Sequence, residues 1–568
     1  MPNIITRQVD PAAYAALKQE GVEARMAKLY AGRGISGIFA LNTALEAMLA
    51  PSLISHIGTA ATLLADAIAA KHRLLIVADY DADGATACAL GIRALRSMGA
   101  NVDYVVPNRF TLGYGLTPDV VALAAQHRAG KPDLIITVDN GIASVDGVMA
   151  ANRLGMQVLV TDHHLPGDTL PDAAVIVNPN QPGDTFPSKA LSGVGVMFYT
   201  MLALRAELKR RNHFAATPPP NLAELLDLVA LGTVADVVKL EHNNRILVEQ
   251  GLRRIRAGRM SKGIAALFAV AGRDHTRATT YDLGFVLGPR INAAGRLEDM
   301  SIGIGCLLAD DVASAHRRAH ELDQLNRDRR GIESQMREAA SASLESIDLR
   351  DRFTLTLYKP EWHQGVVGIV AGRMRESTHR PVIAFARAND SMNPGTLKGS
   401  GRSIRALHLR DCLDLVTKRH PHLIERFGGH AMAAGLTIKE AALGDFTTAY
   451  EVAARAMLTP ADLHEHIETD GAISAGELDF DFVNGIEQQV WGQGFVAPSY
   501  VGSFRIIEQR VVGEKHLKLK LAMGGQTFEG MRFGAAELLP LSFDAVYRPT
   551  INTYKDTSVV QLIVEHVG

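Results

Sequence analysis

At 568 residues the chain is longer than one hydrophobic core supports, so three or four domains are expected. With 47% hydrophobic residues, 21% charged residues and a formal net charge of −2, it is neither a disordered polyelectrolyte nor a uniformly basic coat for nucleic acid. Its three cysteines, Cys88, Cys306 and Cys412, are too far apart for a zinc knuckle or a disulfide framework.

The opening residues Met1 to Arg7 lack a charged-then-apolar leader pattern, and no apolar run reaches the roughly 18–20 residues of a spanning helix. A cytoplasmic protein with no membrane contact is expected. After an N-terminal segment (residues 1–45), residues 46–305 alternate apolar runs with helix-like segments. Leu74–Ala78, Asn101–Val106, Leu134–Val138, Gln157–Thr161 and Val175–Val177 read as strands, and Ala85–Met98 as a helix. That alternation predicts βαβ units around a buried parallel sheet. The prolines at 218–220 mark a loop.

Between residues 306 and 348 apolar side chains recur at helical spacing (Leu308, Val312, Ala315, Ala319, Leu322, Leu325, Ile332, Met336), which predicts a long connecting helix. A second, smaller α/β region follows at 349–458, with strands near Thr354–Tyr358 and Pro381–Ala386. The tail, 459–568, is richer in strands: Ser503–Val512, His516–Ala522, Thr527–Phe533 and Val559–Val564, with a Gly524-Gly525 turn. A small C-terminal β-barrel is expected.

The chemistry concentrates at the ends of the first strands. Asp79-Tyr80-Asp81-Ala82-Asp83-Gly84 follows the first of them, and alternating carboxylates share one face of an extended chain. Oxygen ligands of this kind suit hard divalent cations such as Mg2+ or Mn2+. An EF-hand is excluded, because the twelfth position is Leu90 and a strand precedes the loop. A polar turn capping the next helix is the competing reading. Asp139-Asn140-Gly141 ends the Leu134–Val138 strand, Asp162-His163-His164 follows Gln157–Val160, and the apolar stretch from Leu228 ends in Asp236. Acids and imidazoles at the same end of successive strands form the set that two-metal phosphoryl chemistry needs.

These motifs, in order with SGVGV at 192–196, GTVADVV at 232–238, GPRINAAGR at 288–296, WHQGVVGIVAGR at 362–373, GSGRS at 399–403 and GGHAMAAG at 428–435, resemble the DHH phosphoesterases. GPRINAAGR and WHQGVVGIVAGR narrow the resemblance to the RecJ family of single-strand-specific DNA exonucleases. It implies an α/β DHH domain, a long helix, a DHH-associated domain and an OB-fold-like barrel. It also implies 5′→3′ hydrolysis of single-stranded DNA to mononucleotides with two divalent cations, Mn2+ or Mg2+, in DNA repair and recombination. Asp81, Asp83, Asp139, His163 and Asp236 would hold metal, with Asp139 bridging. Asp79 would be a further ligand or a catalytic acid behind the ligands, and Asp162 would orient an imidazole. His164, Arg402 and His430 would face the reacting phosphate. Arg109, Arg290, Asn292, Arg296, Ser400 and Ser403 would grip the strand. A monomer is expected, working with helicase and single-strand-binding-protein partners. Hydrolases of dinucleotides, pyrophosphatases and a metal-free scaffold are the rivals. The first two need no long helix or barrel, and the third predicts eroded acids.

Overall fold

The computed structural model describes residues 3–108, 112–345, 348–388, 395–554 and 557–568. The first domain is built on β1 (Arg73–Ala78), β2 (Asn101–Val105), β3 (Leu134–Val138), β4 (Gln157–Thr161) and β5 (Val175–Val177). All pair in parallel in the order β2-β1-β3-β4-β5. Both faces are covered, so the strands are continuous apolar runs rather than alternating ones. From β1 the chain winds first to one side and then to the other, which puts a topological switch between β1 and β3. Ala78 lies opposite Val138, and Val138 opposite Thr161. The residues that follow, Asp79, Asp139 and Asp162, therefore leave the sheet at one level.

Five helices complete the frame around that edge. They are α1 (Ala82–Ser97), α2 (Gly193–Arg210), α3 (Leu226–Ala235), α4 (Gly288–Leu297) and the connector α5 (Val312–Leu344). At 33 residues α5 spans about 50 Å. Ala315, Ala319 and Leu322 pack into the first domain, whereas Met336 and Ala340 pack under the second with Val366, Val367 and Val370. One helix thus belongs to two cores, and the cleft between the domains is held by packing rather than by a loose linker.

The second domain carries β6 (Leu355–Tyr358), β7 (Val382–Arg387), β8 (Thr396–Arg402), β9 (Arg426–Gly429) and β10 (Ala433–Lys439) in the order β9-β10-β8-β7-β6, with helix α6 (Val367–Thr378) on β7 and β8. Only β6 and β7 are legible in the sequence, because the glycines of GSGRS and GGHAMAAG disguise β8 to β10. The tail closes into a barrel of β11 (Tyr500–Val512), β12 (His516–Met523), β13 (Gln526–Arg532), β14 (Ser542–Tyr554) and β15 (Thr557–Val567), ordered β11-β12-β13-β15-β14. Pro549 hides β14 from sequence reading. It is tolerated because pairing with β11 ends at Tyr547, so Pro549 is not called on to donate there.

The N-terminal segment is not a separate unit. Leu17, Ala27 and Tyr30 join the main core, and Asn3–Thr6 pairs in parallel with His466–Thr469. Arg33, its side chain 1% exposed, donates to both oxygens of Asp470 at 2.8 and 2.9 Å and ties this segment to the base of the barrel. Among the described residues no single helix is long and apolar enough to cross a membrane, and the three cysteines are buried and unpaired.

Removing Arg33 leaves the buried Asp470 carboxylate with only the longer Arg7 contact at 3.6 Å and the Ser499 N–H. Arg33→Ala should therefore destabilise the joint by about 3–5 kcal/mol, read as a lower thermal midpoint and earlier proteolysis around residues 459–500. An unchanged midpoint would contradict this role for the pair.

Candidate metal centre

The site begins where β1 ends. Asp79 is buried directly after the strand, and its carboxylate accepts from the Tyr80 N–H at 2.8 Å. Asp81 caps α1, accepting from the Gly84 N–H at 3.0 Å through Oδ1, so the capping reading of this loop is correct as far as it goes. A carboxylate can cap with one oxygen and ligate with the other. Asp83, in the first turn of α1, is met by the start of α2, where the N–H groups of Gly193 and Val194 donate to its two oxygens at 2.6 and 2.9 Å. SGVGV thus supplies a helix N-terminus that orients one carboxylate. Glycine is required at 193, because a Cβ there would lie 2.6 Å from Asp139 Oδ1 and from its Cβ.

Asp139 leaves β3 in a left-handed conformation (φ 62°) and turns its carboxylate back into the pocket. Asn140 locks this turn by donating to the Val77 and Val138 carbonyls at 3.1 and 2.9 Å, linking the two strands that flank the switch. After β4, Asp162 accepts from the N–H groups of Ile142, His163 and His164 and from His164 Nδ1, the last at 2.8 Å. His163 Nε2 lies 3.0 Å from Asp139 Oδ1, 3.5 Å from Asp236 Oδ2 and 4.0 Å from Asp83 Oδ2. Asp236 arrives by a different route from the one expected. It caps the C-terminus of helix α3 and follows no strand. The apolar stretch from Leu228 is buried all round as a helix, and composition alone does not separate that from a buried strand.

The electrostatics are those of a pocket built for cations. Burial, then the neighbouring acid Asp81, pushes the Asp83 carboxyl up to about 7. Asp139 and Asp236 are driven well above the usual carboxylate range by burial and then by Asp83 and Asp81. Burial and the His164 charge push His163 down to about 4, leaving a neutral imidazole able to ligate. Burial disfavours the His164 cation too, but the Asp162 hydrogen bond and charge raise it to about 9.

Among the described residues, three groups bring ligand atoms within 4.8 Å of one another: Asp79, Asp81 and Asp139; Asp83, His163 and Asp236; Asp139, His163 and His164. Asp139 Oδ1 and His163 Nε2 are buried without a hydrogen-bond partner, although they approach to 3.0 Å. Buried polar atoms of this kind call for an ion. The donor set therefore fits hard divalent cations.

Across the cleft, Arg402 Nη1 donates to Ser400 Oγ at 3.2 Å, beside the start of α6. Burial and then the charge of His164 depress the His430 imidazole. The other expected strand contacts divide differently. Asn292 Oδ1 accepts from the Ala82 N–H at 2.8 Å and so positions the acid loop. Arg290 is engaged by Asp323 at 2.9 Å, and Arg296 donates to the Gly365 carbonyl at 3.1 Å. Ser403, 1% exposed, points inward and donates to the Leu407 carbonyl at 2.8 Å, which removes it from the substrate side. Arg109 lies outside the described residues.

Sequence reading missed three contributors. Tyr114 OH stands 3.4 Å from His164 Nε2, and Asn178 and Asn180 donate to the carbonyls of His164 and His163 at 2.9 and 2.6 Å. Asn178-Pro179-Asn180 directly after β5 was the available signal.

Because Asp83, Asp139 and Asp236 must lose protons to ligate, Mn2+ affinity measured by calorimetry should fall as pH drops from about 8 towards 6. Affinity that is flat over that range would contradict the assigned ligands. Gly193→Ala, which pushes on Asp139, should weaken Mn2+ binding by about 10–100-fold with the fold retained. Unchanged binding would show that the close approach does not matter.

Family models match three stretches of the chain: the DHH family N-terminal domain at residues 73–233, the DHHA1 domain at 351–456 and the RecJ OB domain at 469–566. The single-stranded-DNA-specific exonuclease RecJ of Dickeya dadantii is 48% identical over 563 residues, covering 96% of each chain. That of Escherichia coli is 46% identical, covering 95% of each. The crystal structure of RecJ in complex with Mn2+ from Thermus thermophilus matches with a TM-score of 0.81 and 28% identity, covering all of this chain and 79% of that one. The chain belongs to the RecJ family of exonucleases.

Proposed function

We propose that the protein removes mononucleotides from the 5′ end of single-stranded DNA, hydrolysing successive phosphodiesters with two divalent cations, Mn2+ or Mg2+. The observation that carries this reading is the cluster of carboxylates with an orphaned Asp139 oxygen and a neutral His163. Asp79, Asp81, Asp83, Asp139, His163 and Asp236 would hold the cations. When bound, they would supply Lewis acidity and offset charge on the phosphate.

The chain's own residues do the rest. Asp162 holds the His164 imidazole in place and keeps it protonated at neutral pH, a fixed N–H donor for a phosphate oxygen as charge develops. Arg402 and His430 approach from the other domain, so the strand is gripped only when it lies in the cleft. Ser400 orients the Arg402 guanidinium. A slot of this kind admits one strand and not a duplex. The closed barrel is the OB type that tracks single strands by stacking and basic grooves. Work in DNA repair and recombination, in the cytoplasm, as a monomer beside a helicase and a single-strand-binding protein, completes the proposal.

On a long 5′-phosphorylated single strand with Mn2+, the protein should release mononucleotides, and chelation should stop it. His164→Asn should lower kcat by about 10²–10³-fold, and Asp162→Asn by about 10–100-fold. Preference for dinucleotides over long strands, or full activity in His164→Asn, would overturn the assignment.

A further inference from the structure

On a turn that packs against the end of α3 stands an exposed aromatic pair. Tyr281 and Phe285 stack on one another with ring centroids 5.2 Å apart and planes at 25°, yet they are 53% and 73% exposed. Burying the pair would release apolar surface from water, so its exposure needs a reason. They flank and enter a π-helical turn, Asp282–Leu287. Such turns are uncommon and recur at functional sites. This one is fixed from below. Asp282, 2% exposed, accepts from Arg273 Nε at 2.7 Å and from the Thr279 N–H and hydroxyl at 2.9 and 3.0 Å. The turn is therefore rigid, and the rings project from it into solvent.

Its position relative to the site is set by two glycines. A Cβ on Gly284 would meet Val234 Cγ1 at 3.2 Å, and one on Gly288 would meet Ala235 Cβ at 3.1 Å. The turn thus leans on the last turn of α3, whose C-cap is the candidate ligand Asp236. The chain then bends sharply through Val237, a β-branched residue at φ 62° that is 62% exposed, to the exposed Lys239. A flat aromatic surface and an exposed apolar side chain thus flank the helix end that carries one candidate ligand, while the stem of Lys239 lies along Gly494. Nucleobases stack on surfaces of that kind whatever their identity, while a lysine meets the phosphates.

We infer that Tyr281 and Phe285 form a stacking platform for bases of the strand that continues 3′ from the phosphate in the metal pocket. The inference rests on the hydrolase reading for its direction and on the exposed pair for its existence. The platform holds a long strand in line between rounds of cleavage and contributes nothing to a substrate too short to reach it.

The test compares the wild-type protein with the Tyr281→Ala/Phe285→Ala double variant and a Tyr281→Phe/Phe285→Tyr variant. Binding of a fluorescent dT strand of about 20 nucleotides, without divalent cation, should weaken by about 5–100-fold in the double alanine variant and recover in the aromatic one. Mn2+-dependent hydrolysis of the 5′-phosphorylated dinucleotide pTpT should not change. Equal affinity in all three proteins, or parallel loss of dinucleotide hydrolysis, would overturn the platform. If the strand binds through the pair but the wild type cleaves neither substrate, the platform stands and the hydrolase reading falls.

Discussion

Crowding of negative charge at one edge of a parallel sheet is the constraint on which the rest of this structure depends. Asp79, Asp83 and Asp139 are buried, and the half-buried Asp81 and Asp236 crowd against them. Two carboxylates about 4 Å apart repel by on the order of 4 kcal/mol at an effective dielectric near 20, and several such pairs coexist here. Among the described residues, two imidazoles stand beside these acids: His163, which burial keeps neutral, and His164, whose Nδ1 lies 3.9 Å from Asp139 Oδ1 and offsets only part of the charge. Helix α2 offsets part of the cost at Asp83 through two N–H groups, and protonation offsets part in the absence of metal. A pair of divalent cations removes it outright.

Much of the molecule can be understood as holding that arrangement in place. Equal register of β1, β3 and β4 brings Asp79, Asp139 and Asp162 to one level. Asn140 fastens the switch between strands, and Asn292 of α4 fastens the acid loop. Gly193 and Gly232 allow α2 and α3 to close on the acids. A Cβ at Gly232 would stand 2.8 Å from Asp83 Oδ1. The connector α5 extends the frame, since its two halves lie in different cores and so fix one domain on the other.

How much of this was legible in the sequence follows from which signals are local. The parallel strands were readable because each is a short, doubly buried apolar run bounded by turns, and Leu134–Val138 matched residue for residue. The acids were readable because they sit directly after those runs. Asp236 lies beside His163 but at the end of a helix rather than of a strand, since a fully buried helix and a buried strand have the same composition. The pairing of Asn292 with Ala82 and of Arg290 with Asp323 spans 210 and 33 residues, and no local pattern encodes it. Residues expected to grip substrate thus also make contacts within the protein. The glycine-rich strands β8 to β10 and the proline-bearing β14 were lost for a related reason: tertiary pairing overrode weak propensity.

The central claim is that two cations share Asp139 at the β1–β3 switch. Anomalous diffraction from crystals soaked in Mn2+ tests it most directly. The account predicts two peaks about 3.5–4 Å apart, both touching Asp139, with His163 and Asp236 on one side and Asp79 and Asp81 on the other. No peak in this pocket, or a single ion held away from Asp139, would contradict it.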